Sequence, residues 1–299
     1  MAQTTYDLVV IGEGVSGLAC AGHARRAGLR VATFEANLFG GLVINVNELD
    51  GYPGAESGTV LASELMQANS DAGVASIQEE VTAITPAGAT FDVAAGASYG
   101  ARQVVIASGA RLRKLSVPGE DEYEGRGVSH CADCDAPLFQ KEEVVVVGGG
   151  DSALQEALVL AKFCRKVHIV HRGERFRAQQ HLVDRVASEP RIATIWNATV
   201  EAILGSKMVE KVRIRRDGRT EDMPSAGVFA YVGLEPNSAC APPGIRRDER
   251  GHLLTDGAFE TSTPGIWAIG AVRAGYSGLL RDAVVEAQRV AQAVRDRLD

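Results

Sequence analysis

The chain has 299 residues, of which 45% are hydrophobic, 23% charged and 5% aromatic. This is the composition of a folded globular protein and excludes a disordered one. A net charge of -7 provides no basic surface for nucleic acid or an anionic membrane, so neither partner is expected. The apolar stretch at residues 8–11 is far shorter than a membrane span and follows no basic leader, so we expect a cytoplasmic protein.

A strand, a glycine turn and a helix follow one another at the start of the chain. Residues 6–11 predict a buried strand, which leads into Gly12, Gly14 and Gly17 in G-x-G-x-x-G spacing. The first glycine permits a tight turn, the second lets the backbone approach a pyrophosphate, and the third lets the helix pack closely on the strand. The next predicted strand ends at Glu35, placed to accept hydrogen bonds from ribose hydroxyls. The pattern predicts a dinucleotide site.

The same pattern recurs in the second half of the chain. A β-branched run at residues 143–147 precedes a second glycine turn and helix start, formed by Gly148, Gly149, Gly150, Asp151, Ser152 and Ala153. The strand after that helix ends in His171, Arg172 and, shortly afterwards, Arg177. Guanidinium groups at this position favour a nucleotide with a 2′-phosphate. The alternative is a solvated basic turn.

Three further strand-like runs, at residues 103–107, 228–232 and 265–269, each end at or near a glycine. Residues 279–298 then predict an amphipathic helix that packs on the first domain, with Ala283, Ala287, Val290 and Val294 on its apolar face. We therefore expect an α/β fold with two doubly wound units of unequal size.

Of the five cysteines, only Cys131 and Cys134 are close in sequence. A Cys-x-x-Cys pair that opens a helix can form a reactive disulfide, because the helix start lowers a thiol pKa. A zinc site needs two more ligands, and the other cysteines are solitary, so no metal is predicted. The neighbours His130 and Asp135 could move protons, although Asp135 could instead cap the helix.

These motifs, taken in order, carry a family resemblance over essentially the whole chain. The sequence resembles the low-molecular-weight thioredoxin reductases, which are flavoproteins that use FAD and NADPH. The resemblance rests on both glycine turns, Cys131-x-x-Cys134-Asp135 and the following segments: Gly40-Gly41, Tyr52-Pro53-Gly54, Ala107-Ser108-Gly109-Ala110, His171-Arg172, Phe176-Arg177-Ala178, Gly233-x-x-Pro236-Asn237 and Gly265-Ile266-Trp267-Ala268-x-Gly270.

The resemblance implies two Rossmann-like nucleotide-binding domains. An FAD domain would comprise residues 1–113 and 245–299, with an NADPH domain at 114–244 inserted into it and carrying the cysteine pair. Hinges near residues 111–116 and 239–246 would let the domains rotate so that the flavin meets nicotinamide and dithiol in turn. A homodimer is expected by resemblance alone.

The resemblance also implies roles for individual residues. Cys134 would face the flavin, Cys131 would be the exposed nucleophile, and Asp135 would protonate the leaving thiol. The FAD site would comprise Gly12, Gly14, Gly17, Glu35, Gly40, Gly41, Val81, Ala107, Gly109, Gly270, Arg281, Asp282 and Ala283. The NADPH site would comprise Gly148, Gly150, Asp151, Ser152, Ala153, His171, Arg172, Arg177 and Gly233.

Several positions depart from the family pattern. Leu42 replaces a usual Gln, Gly51 an Asn, Ala271 an Asp and Asp282 a Gln, so four polar anchors of the flavin are lost or changed. We therefore expect weaker FAD binding than is usual in the family. Gly173 replaces one phosphate-facing Arg, although Arg172 and Arg177 still favour NADPH over NADH.

The function predicted first is NADPH-dependent reduction of a disulfide in thioredoxin or a similar small redox acceptor. One rival is a dithiol oxidase that forms a disulfide in a small molecule, passes electrons to oxygen and uses His130 as proton acceptor. The intact second glycine turn argues against it, because such an enzyme has no need of NADPH. Another rival is a regulatory relative that has lost turnover, which the altered flavin positions would explain.

Overall fold

The computed structural model describes residues 4–49, 52 and 54–299. The chain divides into two compact units. Unit 1 combines the residues up to Arg111 with Glu235–Asp299, and unit 2 is Leu112–Leu234.

The helices are α1 (Val15–Arg26), α2 (Gly58–Asp71), α3 (Ala132–Asp135), α4 (Asp151–Ala161), α5 (Gln180–Ala187) and α6 (Leu280–Leu298). The strands are β1 (Thr5–Ile11), β2 (Val31–Phe34), β3 (Ala75–Ile77), β4 (Ala83–Ala87), β5 (Thr90–Ala94), β6 (Ser98–Ile106), β7 (Ala110–Leu112), β8 (Val128–Ser129), β9 (Glu143–Gly148), β10 (Lys166–Val170), β11 (Ile192–Ile195), β12 (Ala198–Gly205), β13 (Val209–Arg216), β14 (Arg219–Pro224), β15 (Gly227–Tyr231), β16 (Leu234–Pro236) and β17 (Ile266–Ala268).

Unit 1 contains a mixed sheet in the order β3-β2-β1-β6-β5-β4, with β17 also paired to β6. Strands β1, β2, β3, β6 and β17 run parallel, whereas β4 and β5 form an antiparallel extension. The chain order reverses beside β1, where Ile11 aligns with Phe34 on one side and Ile106 on the other. In open α/β sheets, ligands bind outside the carboxyl ends of the strands at such a reversal.

Helix α6 packs as its apolar pattern predicts. Ala287, Val290 and Val294 are fully buried and lie in one core cluster with residues of α1 and β1. Burial of this stripe, at about 25 cal/mol per Å² of apolar area, fixes the end of the chain to unit 1. The prediction of a closing helix on the first unit is confirmed.

Unit 2 contains a five-stranded, fully parallel sheet in the order β11-β10-β9-β15-β8. Helices α3, α4 and α5 supply the apolar residues that cover one face of it. A separate antiparallel sheet, β12-β13-β14, covers the other face through residues such as Val212 and Ile214. Both units are therefore α/β, as predicted, and both place a glycine turn at the carboxyl end of a central parallel strand.

The chain returns to unit 1 earlier than the predicted residue 245. Glu235 and the residues after it belong to unit 1. The predicted hinge at residues 239–246 therefore lies within that unit. The reason is a set of hydrogen bonds: Asn237 N donates to Gly109 O at 3.0 Å, Asn237 Nδ2 donates to Ser108 O at 3.0 Å, and Ser108 Oγ donates to Asn237 O at 2.7 Å.

Within the described residues, no helix is long and apolar enough to span a membrane.

Candidate functional site

The first glycine turn has two glycines that the fold itself requires. Gly12 has a φ of 103°, and a Cβ there would collide with the carbonyl group of Ala107. A Cβ on Gly17 would overlap the Gly12 carbonyl oxygen, because α1 packs closely on the turn. These two positions would therefore be glycine whether or not a ligand binds.

Gly14 is different. It is the N-cap residue of α1 with an extended backbone that any residue can adopt, and a Cβ there would meet only Gly40 O, at 3.8 Å. The α1 N-terminus also lacks a side-chain cap, so its first N–H groups are not satisfied by a side chain. Open space, uncapped N–H donors and a missing side chain fit the close approach of a pyrophosphate.

The acidic end of β2 is held in place by the same turn. Glu35 Oε2 accepts a hydrogen bond from Glu13 N at 3.0 Å, and Glu35 Oε1 accepts one from Asn37 N at 3.0 Å. Gly40 N donates to Glu13 O at 2.7 Å, and a Cβ on Gly41 would lie 3.5 Å from the Gly14 Cα. The structure thus brings together Gly12, Gly14, Gly40, Gly41 and Glu35, five of the predicted flavin residues.

Other predicted flavin residues lie elsewhere in unit 1. Ala107 and Gly109 follow β6, and the Gly109 carbonyl accepts the Asn237 N–H described above. Val81 is buried in the same core cluster as Ile84. Gly51 and Pro53 lie outside the described residues, and Leu42 is 40% exposed.

The loop after β17 is held by an acid of α6, Glu286, which was not predicted from the sequence. Gly270 N donates to Glu286 Oε2 at 3.0 Å, and the Glu286 carboxylate also forms a buried ion pair with Arg273. Ala271 therefore follows a backbone that is already held by a carboxylate from α6. The signal for Glu286 was its position on the buried face of that helix, directly before Ala287.

The remaining predicted flavin residues, Arg281, Asp282 and Ala283, lie in the first turn of α6. The Arg281 side chain is largely exposed, and its Nε lies 3.6 Å from Asp282 Oδ1. Asp282 Oδ2 accepts a hydrogen bond from Ser277 Oγ at 2.6 Å, and Ala283 is buried.

The second glycine turn, like the first, contains a glycine that packing requires and a glycine that it does not. A Cβ on Gly148 would lie 2.5 Å from Tyr231 O and 2.7 Å from the Ala153 Cβ, so this glycine is required by packing. Gly150, by contrast, is the uncapped N-cap residue of α4, has extended backbone, and would have nothing within 4 Å of a Cβ. Gly150 therefore corresponds to Gly14, and its missing side chain leaves the same space for a phosphate.

The helix that follows this turn holds the loop after β10. Asp151 accepts hydrogen bonds from the backbone N–H of Gln179 at 2.7 Å and from its side-chain Nε2 at 2.9 Å. Ser152 is exposed and Ala153 is buried. Gly233 has a φ of 117° and open space around its Cα.

The end of β10 is basic where the end of β2 is acidic. The buried His171 ring packs beneath the turn, with Nδ1 at 2.9 Å from Gly148 O and Nε2 at 3.0 Å from Arg175 O. Arg172 and Arg177 are exposed, and neither forms an ion pair with the described part of the chain. Arg177 N donates to Gly149 O at 2.8 Å, which ties this arginine to the glycine turn.

The cysteine pair is a disulfide at the start of a helix, as predicted. Cys131 and Cys134 are bonded, Cys131 is the N-cap residue of α3, and Cys134 N donates to Cys131 Sγ at 3.2 Å. A hydrogen bond to a sulfur favours the thiolate over the thiol once the disulfide is reduced. Burial raises the pKa of the Cys20 thiol to about 12 and those of Cys164 and Cys240 to about 11.

The exposure of the two cysteines differs from the prediction. Cys134 is the exposed residue of the pair and Cys131 is half-buried, whereas Cys131 was expected to be the exposed one. The reason is local: Cys131 joins β8 to α3 and caps the helix, which turns Cys134 outward. Exposure alone therefore does not identify Cys131 as the attacking thiol.

The two predicted proton carriers flank the disulfide. Asp135 begins the 3-10 turn at residues 136–139, but its side chain makes no capping hydrogen bond, so the capping alternative is not supported. The His130 Nε2 lies 3.3 Å from Glu124 Oε2, while its Nδ1 is buried and has no hydrogen-bond partner. His130 is thus oriented by a carboxylate and keeps one ring nitrogen available.

A second pair beneath α3 was missed by the sequence analysis. Glu156 on α4 and Tyr231 on β15 are buried, and Glu156 Oε2 lies 3.0 Å from Ala132 N and 3.2 Å from Tyr231 Oη, both donors to it. Burial and the nearby Asp133 raise the pKa of Glu156 to about 7, and burial raises the pKa of Tyr231. The only sequence signal was an acid between the buried residues Ala153 and Ala157 of α4.

Known proteins are similar in sequence to nearly the whole chain. The pyridine nucleotide-disulphide oxidoreductase family matches residues 6–294. A thioredoxin reductase from Listeria innocua is 41% identical over 279 residues, covering 91% of this chain and 87% of that protein. One from Treponema pallidum is 37% identical, covering 91% of this chain and 90% of that protein.

A solved structure agrees. The thioredoxin reductase of Lactococcus lactis superposes with a TM-score of 0.93 at 34% identity, and the match covers 97% of this chain and 98% of that one. The chain therefore belongs to the pyridine nucleotide-disulphide oxidoreductases, and within them to the low-molecular-weight thioredoxin reductase family.

Proposed function

We propose that this protein is a disulfide reductase that carries electrons from NADPH, through FAD and the Cys131–Cys134 dithiol, to thioredoxin or a similar small redox protein. The observation that carries this proposal is the disulfide at the start of α3, in the same unit as the second glycine turn. The relatives named above, all thioredoxin reductases, support the choice of acceptor.

FAD fits the first glycine turn and NADPH the second. When bound, the two cofactors supply hydride transfer and a two-electron relay to the disulfide. In unit 1, the uncapped α1 N-terminus would hold the pyrophosphate of FAD and Glu35 its ribose hydroxyls. In unit 2, the α4 N-terminus would hold the pyrophosphate of NADPH, and Arg172 and Arg177 its 2′-phosphate. The other predicted positions of each site are proposed on resemblance.

The two cysteines reduce the acceptor disulfide in two thiol–disulfide exchange steps. The Cys131 thiolate attacks the acceptor disulfide, forming a mixed disulfide and releasing the acceptor's other sulfur, which Asp135 protonates. The Cys134 thiolate then attacks the Cys131 sulfur, which restores the intramolecular disulfide and releases the second acceptor sulfur. Two electrons thus leave the cysteine pair and reduce one acceptor disulfide.

Single serine variants test this division of labour. Cys134→Ser should abolish acceptor reduction and leave Cys131 covalently bound to an acceptor, because no resolving thiol remains. Cys131→Ser should also abolish acceptor reduction and should place the remaining thiolate next to the flavin, giving a long-wavelength charge-transfer absorbance. Flavin bleaching by NADPH should persist in both variants, since it needs neither sulfur.

The buried Cys164 provides a matched control, because Cys164→Ser makes the same chemical change away from the disulfide. That variant should retain acceptor reduction and trap no acceptor. Retention of full activity by either Cys131→Ser or Cys134→Ser, or loss of flavin bleaching in both, would refute the proposed path.

The dithiol oxidase is the second candidate, and the buried, unpartnered His130 Nδ1 beside Cys131 favours it. Such an enzyme would oxidise a small dithiol, produce hydrogen peroxide and need no NADPH. Incubating the purified protein with dithiothreitol and oxygen, without a nicotinamide, distinguishes the two functions. Peroxide formation that His130→Ala abolishes would favour the oxidase.

A regulatory relative without turnover would behave differently from either enzyme. It would be purified without colour and would stay colourless when FAD is added.

We further propose a cytoplasmic homodimer, by analogy with the family. Light scattering coupled to size-exclusion chromatography measures the mass of the assembly and compares it with twice the chain mass of 31.6 kDa.

A further inference from the structure

Helix α3, which begins at the cysteine pair, packs on a buried carboxyl group that takes no part in the reaction proposed above. Glu156 is 9% exposed, and its carboxylate accepts the backbone N–H of Ala132 at 3.0 Å and receives another hydrogen bond from Asp133 N–H. The Ala132 nitrogen is joined directly to the carbonyl carbon of Cys131. A charge on Glu156 is thus separated from the first cysteine by one hydrogen bond and one peptide unit.

Tyr231 completes this network from the other side. Its hydroxyl donates to Glu156 Oε2 at 3.2 Å and also lies 3.2 Å from Ala132 N. The three groups come from three elements, α3, α4 and β15, and the surrounding side chains are mainly apolar, among them Ala136, Leu154 and Phe229. In such surroundings a full negative charge is costly and acts strongly on its neighbours.

We propose that Glu156 is a positioning residue of the cysteine pair: it holds the Ala132 N–H, and its ionisation determines the pH range over which Cys131 is available as a thiolate. The inference rests on the dithiol of the proposed function. It adds a group that contacts neither acceptor nor cofactor and acts through the backbone of α3.

The ionisable groups that face Glu156 are Tyr231 from β15 and Asp133 from α3, with Cys131 at the start of α3. The neighbouring strands β9 and β10 contribute valine and isoleucine side chains to the cluster around α4. Burial and Asp133 raise the pKa of Glu156 to about 7. The carboxyl is therefore mostly neutral well below pH 7 and mostly charged well above it.

The sign of the effect follows from like-charge repulsion. A charged Glu156 disfavours a second negative charge on Cys131, so it raises the pKa of that thiol, while a neutral Glu156 does not. The native protein should form the Cys131 thiolate at higher pH than a variant without the carboxylate. Both proteins should behave alike at acidic pH and diverge above neutrality.

The test measures Cys131 alkylation in a Cys134→Ser background, where no disulfide forms. Iodoacetamide is the probe, and mass spectrometry follows the peptide that carries Cys131 from pH 5 to pH 10. Adding Glu156→Gln, which keeps an oxygen acceptor for Ala132 N–H, should lower the midpoint of the pH–rate profile by about one unit. Tyr231→Phe should lower it less, because loss of its hydrogen bond keeps Glu156 protonated to higher pH.

Asp184→Asn is the matched control, since Asp184 is an exposed acid of the same unit that pairs with Gln180 within α5. It should leave the midpoint unchanged, and circular dichroism should confirm that every variant folds. An unchanged midpoint in both Glu156→Gln and Tyr231→Phe would overturn the inference; if Glu156→Gln fails to fold, an unchanged Tyr231→Phe midpoint overturns it alone. The assay needs no nucleotide or acceptor, so failure of the proposed reductase activity would be seen separately.

Discussion

The two glycine turns are built alike, but the strands beside them end differently. Gly14 and Gly150 are both uncapped helix N-cap residues at which a Cβ would meet no close contact. The strand beside the first turn is followed by Glu35, whose carboxylate accepts hydrogen bonds from backbone N–H groups. The strand beside the second turn is followed by the buried His171 and the exposed Arg172. The turn geometry thus suits a pyrophosphate in general, and we propose that the residues after β10 select the nucleotide.

Gly14 and Gly150 are glycines that packing does not require. We expect their substitution to have the largest effect on nucleotide binding. Gly14→Ala should weaken FAD binding about 100-fold and Gly150→Ala should weaken NADPH binding about 100-fold, because each methyl group occupies the space of a phosphate that makes charged hydrogen bonds. Each variant should leave the other nucleotide unaffected. Isothermal titration of each nucleotide into each variant measures this.

Gly17→Ala and Gly148→Ala are the matched controls. Their Cβ atoms would collide with backbone, so these variants should lose thermal stability, by roughly 1–3 kcal/mol as in overpacked cores. Gly14→Ala and Gly150→Ala should keep theirs. If Gly14→Ala and Gly150→Ala bind both nucleotides normally, the proposed equivalence of the two turns is wrong.

The basic end of β10 should account for cofactor preference, with a smaller effect. Arg177→Ala should weaken NADPH binding about 10-fold and leave NADH binding nearly unchanged, since a hydrogen bond to a charged group contributes about 1.5–3 kcal/mol. Arg172→Ala should behave similarly. Steady-state kinetics with each nucleotide measures the ratio.

Arg185→Ala, on α5, is the matched control. It removes the same charge and should change the binding of neither nucleotide. An equal loss of affinity for NADPH and NADH in Arg177→Ala would show that the arginine does not bind the 2′-phosphate. The exposed basic run would then be a solvated turn.

The sequence was most informative where a pattern is local. The glycine turns, the helix of residues 280–298 and the helix start at Cys131 follow from spacing within a few residues, and the structure contains all of them. The family resemblance then predicted the inserted arrangement of units, which depends on segments far apart in the chain.

The features that were missed depend on contacts between distant segments. The early return at Glu235 follows from the pairing of Asn237 with Ser108, and Glu156 meets Tyr231 only because α4 and β15 pack together. Neither pairing leaves a periodic signal in the sequence. The exposure of Cys134 depends on how the short helix α3 leaves β8, which the Cys-x-x-Cys spacing does not specify.

The smallest expected effect concerns the flavin positions that differ from the family pattern. Gly270 N is held by Glu286, and Arg273 is paired with the same carboxylate, so the backbone around Ala271 is already ordered. Restoring the family's acid with Ala271→Asp should add a single ligand contact and tighten FAD binding about 2- to 10-fold, as one hydrogen bond of 0.5–1.5 kcal/mol allows. The dissociation constant is measured by titrating FAD into protein stripped by dialysis. Ala271→Ser, which introduces a shorter and neutral side chain, should improve binding less. If the dissociation constant of Ala271→Asp equals that of the native protein, Glu286 or another group already supplies the missing anchor, and weakened flavin binding cannot be attributed to position 271.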